Sequence, residues 1–581
     1  MVRERARKGR TSAARTMGQP RAGSGQALGT LLGTPASARE WLRQAVSWGP
    51  YVVVFAASAC GLIIEIVAAR ILAPNVGVSL YTWTSVIGVV LAGISVGNYL
   101  GGRAADRFPS PATLAHILLA AGVSSLIILV LVGAVSDAYE ALPLVPRIVL
   151  LTATLFFLPS LILGMVTPVV IKLRLKDLAQ AGNVVGKVYA IATAGAIFGT
   201  FMTGFVLIQW IGSRQTLLLV ASVLIVMALA LALGNVWRVK APFVALMAVF
   251  IGLTSAAFTT GAFDSGCLRE SNYYCIQVTD TVVQGDLPVK VLRLDKLLHT
   301  FVSPEDPTLL VQGYQKVFAE IEAYVAQRNP SLRVLFIGGG GYANPRHLEA
   351  VYPESTVEVI EIDPEVTRVA TEYLGLRPDT RIVTYNEDAR MAVSKLARGQ
   401  YDLVIGDAFH DVSIPYHLTT KEFNEQVGAL LKDSGIYAVN AVDKLHTGGF
   451  LRAYVNTLQQ TFPYVSVIQD VARWEDNGQR TYVVAASFQP LSATALENAS
   501  ILGGRSQSVS RLMPEDTFES WLRSKGTITL TDDYAPVANL MAPIYLDRTT
   551  IERARRDFNA GLELEDWGRL LEAMELLEEI E

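Results

Sequence analysis

Apolar positions along this chain fall into two rhythms. Between residues 51 and 261 they form near-continuous runs at about 51–73, 81–101, 112–135, 147–171, 187–211, 215–235 and 241–261. Each run approaches the roughly 20 residues that a helix needs to cross a hydrocarbon core, so the pattern predicts about seven transmembrane helices over residues 50–262. Gly88, Gly93, Gly97, Gly101 and Gly102 punctuate the second run. Small residues let helix backbones approach in lipid, which predicts a compact bundle rather than separate anchors.

From about Phe263 the runs shorten. Tyr274–Val278, Val289–Leu294 and His299–Val302 read as strands separated by turns, giving a small β subdomain over residues 263–332. Over residues 333–548 strands alternate with helical segments: Arg333–Gly338, Thr356–Ile362, Arg381–Tyr385, Tyr401–Asp407 and Gly435–Ala441, with Val465–Asp470 and Thr481–Ser487 as candidates for the last two. That alternation predicts a parallel doubly wound sheet. The fold class is therefore a multi-pass α-helical membrane bundle plus an α/β Rossmann-like domain with a small N-terminal β subdomain. Residues 549–581 read as a charged amphipathic terminal helix.

Composition adds limits. Hydrophobic residues make up 51% of the chain and mean hydropathy is +0.35, consistent with a lipid-facing part. The net charge of -4 gives no reason to expect a nucleic-acid partner. Cys60, Cys267 and Cys275 are too few for a disulfide scaffold and show no zinc-type spacing, and the six histidines form no ligand pair, so no metal is expected. Residues 1–49 carry Arg3, Arg5, Arg7, Lys8, Arg10, Arg15 and Arg21 without hydrophobic periodicity and read as a disordered basic tail. The first apolar run begins only at Tyr51, too far from that basic region for a cleavable signal peptide. By the positive-inside rule the tail is cytoplasmic. The loops with Arg103 and Arg107, with Lys172, Arg174, Lys176 and Lys187, and with Arg238 and Lys240 share its side. Seven crossings then leave the α/β domain outside the cytoplasm, where Cys267 and Cys275 either close a small loop or remain two thiols, whereas an eighth crossing or a re-entrant segment would return it to the cytoplasm.

Candidate chemistry gathers at the strand ends. VLFIGGGGY (Val334–Tyr342) runs a strand into four glycines, among them Gly338, Gly340 and Gly341, where doubly wound folds bind nucleotides. Glu361, roughly twenty residues on in VEVIEIDP, is placed to accept ribose hydroxyls. Asp388 ends the third strand, placed to accept from an adenine amino group. Asp407 ends the fourth strand, and with Asp411 makes an acidic mouth in which one carboxylate can take the proton of an attacking amine. Glu65 and Arg70 lie in or at the end of the first apolar run, either pairing with each other or neighbouring helices or serving a function there.

These segments resemble the spermidine synthases, the polyamine aminopropyltransferases, over about 270–545. The resemblance runs through ESNYYCIQV, LRLDKLLHT, IGGGGY, EIDP, EDA, YDLVIGDAF and LTTKEF, and TDDYAP (Thr531–Pro536) is similar to the closing motif of membrane-fused members. GGRAADR (Gly101–Arg107) echoes a loop of major-facilitator transporters. The resemblance implies Asp407 as proton acceptor, with Gly338, Gly340, Glu361, Asp388, Ala389, Tyr274 and Pro415 around decarboxylated S-adenosylmethionine, a co-substrate rather than a permanently bound cofactor. On the amine side it implies Gln315, Gly341 and Asp411. The chain departs from the family at several of these positions. The glycine loop usually reads G-G-G-D-G, and Gly341 stands where its aspartate would be; Gln315 replaces a histidine, Tyr274 a glutamine, and His410 is in register with the second acid of D-S-x-D, with Asp411 one place later. An aminopropyltransferase acting on an amine such as putrescine is the leading expectation. A methyltransferase using intact S-adenosylmethionine and a non-catalytic polyamine or nucleoside sensor or transporter stay open. Expected partners are the amine, the nucleotide and the lipid bilayer, with a homo-oligomer possible.

Overall fold

A computed structural model describes residues 38–546, apart from 140–141, 234–240, 260, 262, 264–265, 284–286, 409–413 and 503–506. The basic tail before residue 38 and the segment 549–581 lie outside the described residues. The chain divides after Pro50 into two units, and of the first only the opening turns of a helix are described.

The N-terminal half is helical: α1 (Ala38–Val76), α2 (Leu80–Arg107), α3 (Pro111–Ala138), α4 (Leu144–Gly164), α5 (Val166–Arg174), α6 (Ala181–Met202), α7 (Ile208–Ile211), α8 (Ser213–Leu233) and α9 (Ala241–Thr259). Among the described residues these make seven spans long and apolar enough to cross a membrane, matching the seven apolar runs. Pro159 lies inside α4, and a π-helical turn at Thr203–Leu207 joins α6 to α7. Three of the glycines expected at helix contacts are there. A Cβ at Gly93 would lie 2.8 Å from Ser160 Cβ, one at Gly97 2.0 Å from the Leu161 carbonyl oxygen, and one at Gly101 2.6 Å from Met165 Cα. Gly88 and Gly102 meet nothing within 4 Å, contrary to expectation. The reason is phase: Gly93, Gly97 and Gly101 recur every fourth residue on one helix face, and the other two point elsewhere.

The C-terminal half holds two sheets. The first is antiparallel, β1 (Arg269–Glu270), β2 (Cys275–Val283), β3 (Leu287–Leu294) and β4 (Leu297–Val302) in sequential order. A helix, α10 (Gly313–Ala326), follows; Val317, Phe318 and Ile321 pack in one core with Phe336 and Ile405 of the larger sheet. Then come β5 (Arg333–Ile337), α11 (Ala343–Val351), β6 (Thr356–Ile360), α12 (Pro364–Tyr373), β7 (Val383–Tyr385), α13 (Ala389–Val393), β8 (Tyr401–Gly406), β9 (Leu431–Lys444), β10 (Tyr464–Gln469), β11 (Gln479–Ser487) and β12 (Arg511–Leu512). Their order is β12-β10-β11-β9-β8-β5-β6-β7.

The expectation of a parallel sheet holds only for β5 to β9, because β11 is antiparallel to both β9 and β10. The short connection from β10 to β11 cannot supply the crossover of about a dozen or more residues that a parallel pair needs, so it turns back as a hairpin.

Polar contacts join the halves at the ends of α1 and α8. Arg70, near the end of α1, does not pair with Glu65; its guanidinium donates to the carbonyls of Tyr273 (2.6 Å) and Ser271. Glu270 accepts from the Ser213 amide (3.1 Å) and hydroxyl at the start of α8. Cys267 and Cys275 are disulfide-bonded and enclose this junction.

Candidate active site

β5 delivers the glycine loop to the centre of the large sheet, between β8 on one flank and β6 on the other. Gly338 takes φ +102°, and a side chain there would collide with the Asp407 carbonyl oxygen, 2.2 Å from its Cβ position. Tyr342, at the foot of α11, adopts the left-handed region at φ +57°, which a bulky residue rarely enters. Its buried phenol is held within 3.1 Å of the Thr367 and Thr384 hydroxyls.

On the β6 flank, Glu361 is 6% exposed and spends its carboxylate on the protein. One oxygen accepts from the Gly339 and Gly340 amides (2.8 and 3.1 Å), the other from the Asp363 amide (3.0 Å). Burial pushes its pKa up while the three amides oppose the shift. Asp388 lies beyond the end of β7 as the N-cap of α13, where Ala389 is the first residue. One of its oxygens accepts from the Arg390 and Met391 amides and the other lies 3.1 Å from His417 Nε2. Arg390 in turn pairs with Asp532 of the TDDYAP segment and donates to the His417 carbonyl (2.9 Å). Pro415 precedes the short turn carrying His417. Tyr274 is buried beside the β2 edge, its ring 6.3 Å from that of His299.

On the β8 flank, Asp407 is half-buried and accepts from Asn440 Nδ2 at 2.9 Å and from the Tyr314 hydroxyl. Burial pushes its pKa up to about 6, against the pull of those two donors. It lines a cavity of about 620 Å³ together with Gly338, Gly340, Gly341 and Gln315. Glu361, Asp388, Ala389, Tyr274 and Pro415 are not among the residues lining that cavity. The structure thus brings one set of predicted residues together at the cavity and leaves the other around the β6 and β7 ends. Asp411 and His410 lie outside the described residues.

Two predicted amine-side positions have structural duties. Gln315 donates to Thr300 Oγ1 (2.7 Å) and accepts from the Gln312 amide (3.3 Å), closing the first turn of α10. At Gly341 a Cβ would sit 2.2 Å from Thr300 Cγ2 and 2.8 Å from Val302 Cγ2, so the acid is missing and its space is filled. Sequence reasoning missed Asn440, Gln469 and Gln479. Their side-chain oxygens are buried, without a hydrogen-bond partner among the described residues, and all three residues line the cavity. The only available signal was the strand alternation of β9, which needs the β8–β9 register to be read: Gly406 pairs with Val439, placing Asn440 beside Asp407.

Residues 312–490 match the spermine/spermidine synthase domain family. A polyamine aminopropyltransferase of Vibrio vulnificus is 38% identical over 110 residues, 19% of this chain and 37% of that protein, so the chain spans little more than a third of that relative's length. Polyamine aminopropyltransferase 2 of Streptomyces coelicolor is 27% identical over 443 residues, covering 72% of this chain and 78% of its own. That alignment is longer than the α/β half and extends into the helical half. Among solved structures, a probable spermidine synthase from Corynebacterium glutamicum is 20% identical with a TM-score of 0.39, covering 45% of this chain and 95% of its own.

Proposed function

We propose that this chain, in which residues 312–490 form a spermine/spermidine synthase domain, is a membrane-bound polyamine aminopropyltransferase. It would move an aminopropyl group from decarboxylated S-adenosylmethionine to an amine such as putrescine and release methylthioadenosine. The observation that carries the reading is Asp407: a half-buried carboxylate with its pKa pushed up to about 6, opening onto a cavity edged by the unpartnered oxygens of Asn440, Gln469 and Gln479. Acceptors without donors suit a ligand rich in N–H groups.

In this reaction the amine nitrogen attacks the carbon next to the sulfonium. The carbon–sulfur bond breaks with its electron pair going to sulfur, and Asp407 accepts the proton that the amine gives up. Positioning and deprotonation supply most of the catalysis, because the sulfonium is already an activated leaving group. Glu361 supports the nucleotide from behind by fixing the amides of Gly339 and Gly340. The test is product analysis of the purified protein with decarboxylated S-adenosylmethionine and a panel of diamines. Methylthioadenosine and an aminopropylated amine in equal amounts are expected; no methylthioadenosine with any amine sinks the reading.

The packing at Gly341 favours one second reading, a methyltransferase using intact S-adenosylmethionine. A loop with no acid does not repel a carboxylate beside the donor's amine. Binding measurements with the two nucleotides separate the readings, since tighter binding of the intact form supports the methyltransferase.

We further propose that the seven spans cross the cell membrane with the α/β half on the extracytoplasmic side. Lys172 pairs with Asp106 at 2.7 Å and the Arg174 guanidinium lies 4.7 Å from the Tyr51 ring, so the start of the first span and two basic loops share one end of the bundle. Arg70 and Ser213, which hold the α/β half, lie at the other. The positive-inside rule assigns the basic end to the cytoplasm.

A further inference from the structure

We propose that Arg70, near the end of the first apolar span, is a positioning residue for the nucleotide site, acting on the glycine loop through Ser271, Asp363 and Glu361. The inference rests on the reading of that loop as the nucleotide site. Four consecutive links are on view. The Arg70 guanidinium donates to the carbonyls of Ser271 and Tyr273, fixing the turn that leads to Tyr274. The Ser271 hydroxyl accepts from the Tyr273 and Tyr274 amides (3.0 and 2.9 Å) and donates to Asp363 at 2.5 Å. The Asp363 amide donates to Glu361 at 3.0 Å, and Glu361 accepts from the Gly339 and Gly340 amides.

Every member between the ends is buried: Ser271 is 4% exposed, Asp363 1% and Glu361 6%. Water therefore cannot replace a broken link cheaply, and loss of one leaves a desolvated carboxylate or amide behind. The same turn is held from a second helix, since Glu270 caps the start of α8, and the Cys267–Cys275 bond closes it. A guanidinium is suited to this task because its planar fork reaches two carbonyls at once, which an ammonium on a flexible stem does not. Burial raises the pKa of Asp363, and the positive charge of Arg70 is among the influences that lower it. A shift of α1 relative to the α/β half would thus be felt in the glycine loop, through the amides that Glu361 holds.

The experiment uses the full chain in lipid nanodiscs. Hydrogen–deuterium exchange is followed in the glycine-loop peptide (334–345) and in a β9 peptide (431–444), alongside calorimetric binding of methylthioadenosine. Arg70→Met is expected to speed exchange of the glycine loop and weaken methylthioadenosine binding by about tenfold, the scale of one charge-assisted hydrogen bond, with β9 unchanged. Arg70→Lys should fall between Met and wild type. Ser271→Ala keeps the backbone carbonyls that Arg70 holds but removes the link to Asp363. It should reproduce the loop effect, and it decides the matter if Arg70→Met does not fold. Unchanged glycine-loop exchange in the folded variants overturns the proposal, as does an equal rise in both peptides, which marks general loosening. Should wild type bind no methylthioadenosine, the nucleotide reading fails instead, and the exchange pattern still reports whether Arg70 positions the loop.

Discussion

Burial alone takes Asp407 from an ordinary surface carboxylate to a group with a pKa of about 6, poised to hold or accept a proton near neutrality. Folding raises this pKa, so the native state binds more protons than the unfolded chain between about pH 4 and 6. The group's contribution to stability is most favourable below that window and is lost as pH rises through it. At pH 7.5 the ionised, half-buried carboxylate costs on the order of 3 kcal/mol. Asp407→Asn is therefore expected to raise Tm at pH 7.5, with the gain disappearing below about pH 4, while turnover falls about 10²–10⁴-fold. A Tm scan of both proteins across pH checks the first, and methylthioadenosine release checks the second. Wild-type kcat/KM should fall as pH drops through about 6. At Gly341 the expectation is steric. Gly341→Ala forces a methyl against Thr300 Cγ2 and should destabilise by about 1–3 kcal/mol. Thr300→Ser deletes that methyl and keeps the hydroxyl that accepts from Gln315, so adding it should restore part of the loss in denaturation midpoints.

Elements meet through the same logic of space. The face of α2 that carries Gly93, Gly97 and Gly101 touches the backbone of α4 and the start of α5, so nothing on the partner can move aside as a flexible side chain would. Gly97→Ala places a methyl 2.0 Å from the Leu161 carbonyl oxygen and should lower the yield of folded protein and its melting temperature. Gly102→Ala, one position past the contact face with nothing within 4 Å, should leave both unchanged. Equal behaviour of the two variants in fluorescence-detected chromatography would discard this helix pairing. In the α/β half, β9 pairs with β8 and β11, and its Asn440 donates to Asp407, the base of the proposed reaction. Asn440→Ala should thus slow turnover through a misoriented base while methylthioadenosine binding persists.

The whole molecule sets a problem of sidedness. An external α/β half requires the nucleotide to reach that face. Single engineered cysteines, one in the α/β half and one among Lys172–Lys187, can be labelled on intact cells with a membrane-impermeant maleimide. Labelling of the α/β half alone is expected; labelling of the Lys172–Lys187 loop alone reverses the topology.

Much of this was legible in the chain itself. Runs of about 20 apolar residues located the seven long apolar helices, because each run is a property of one continuous segment whatever its neighbours. Alternating strands and helices located β5 to β9, and the strand-end rule located Asp407, Glu361 and the glycine loop. Local pattern determines these because each depends on a single segment. The tertiary structure decided what depends on two segments meeting. It alone filled the space beside Gly341 with Thr300 and Val302, turned Glu361 inward onto Gly339 and Gly340, and made Asp388 a helix cap. It alone reversed β11 against β9 and set Arg70 on the carbonyls of Ser271 and Tyr273, about two hundred residues away, contacts that no periodicity in either segment encodes.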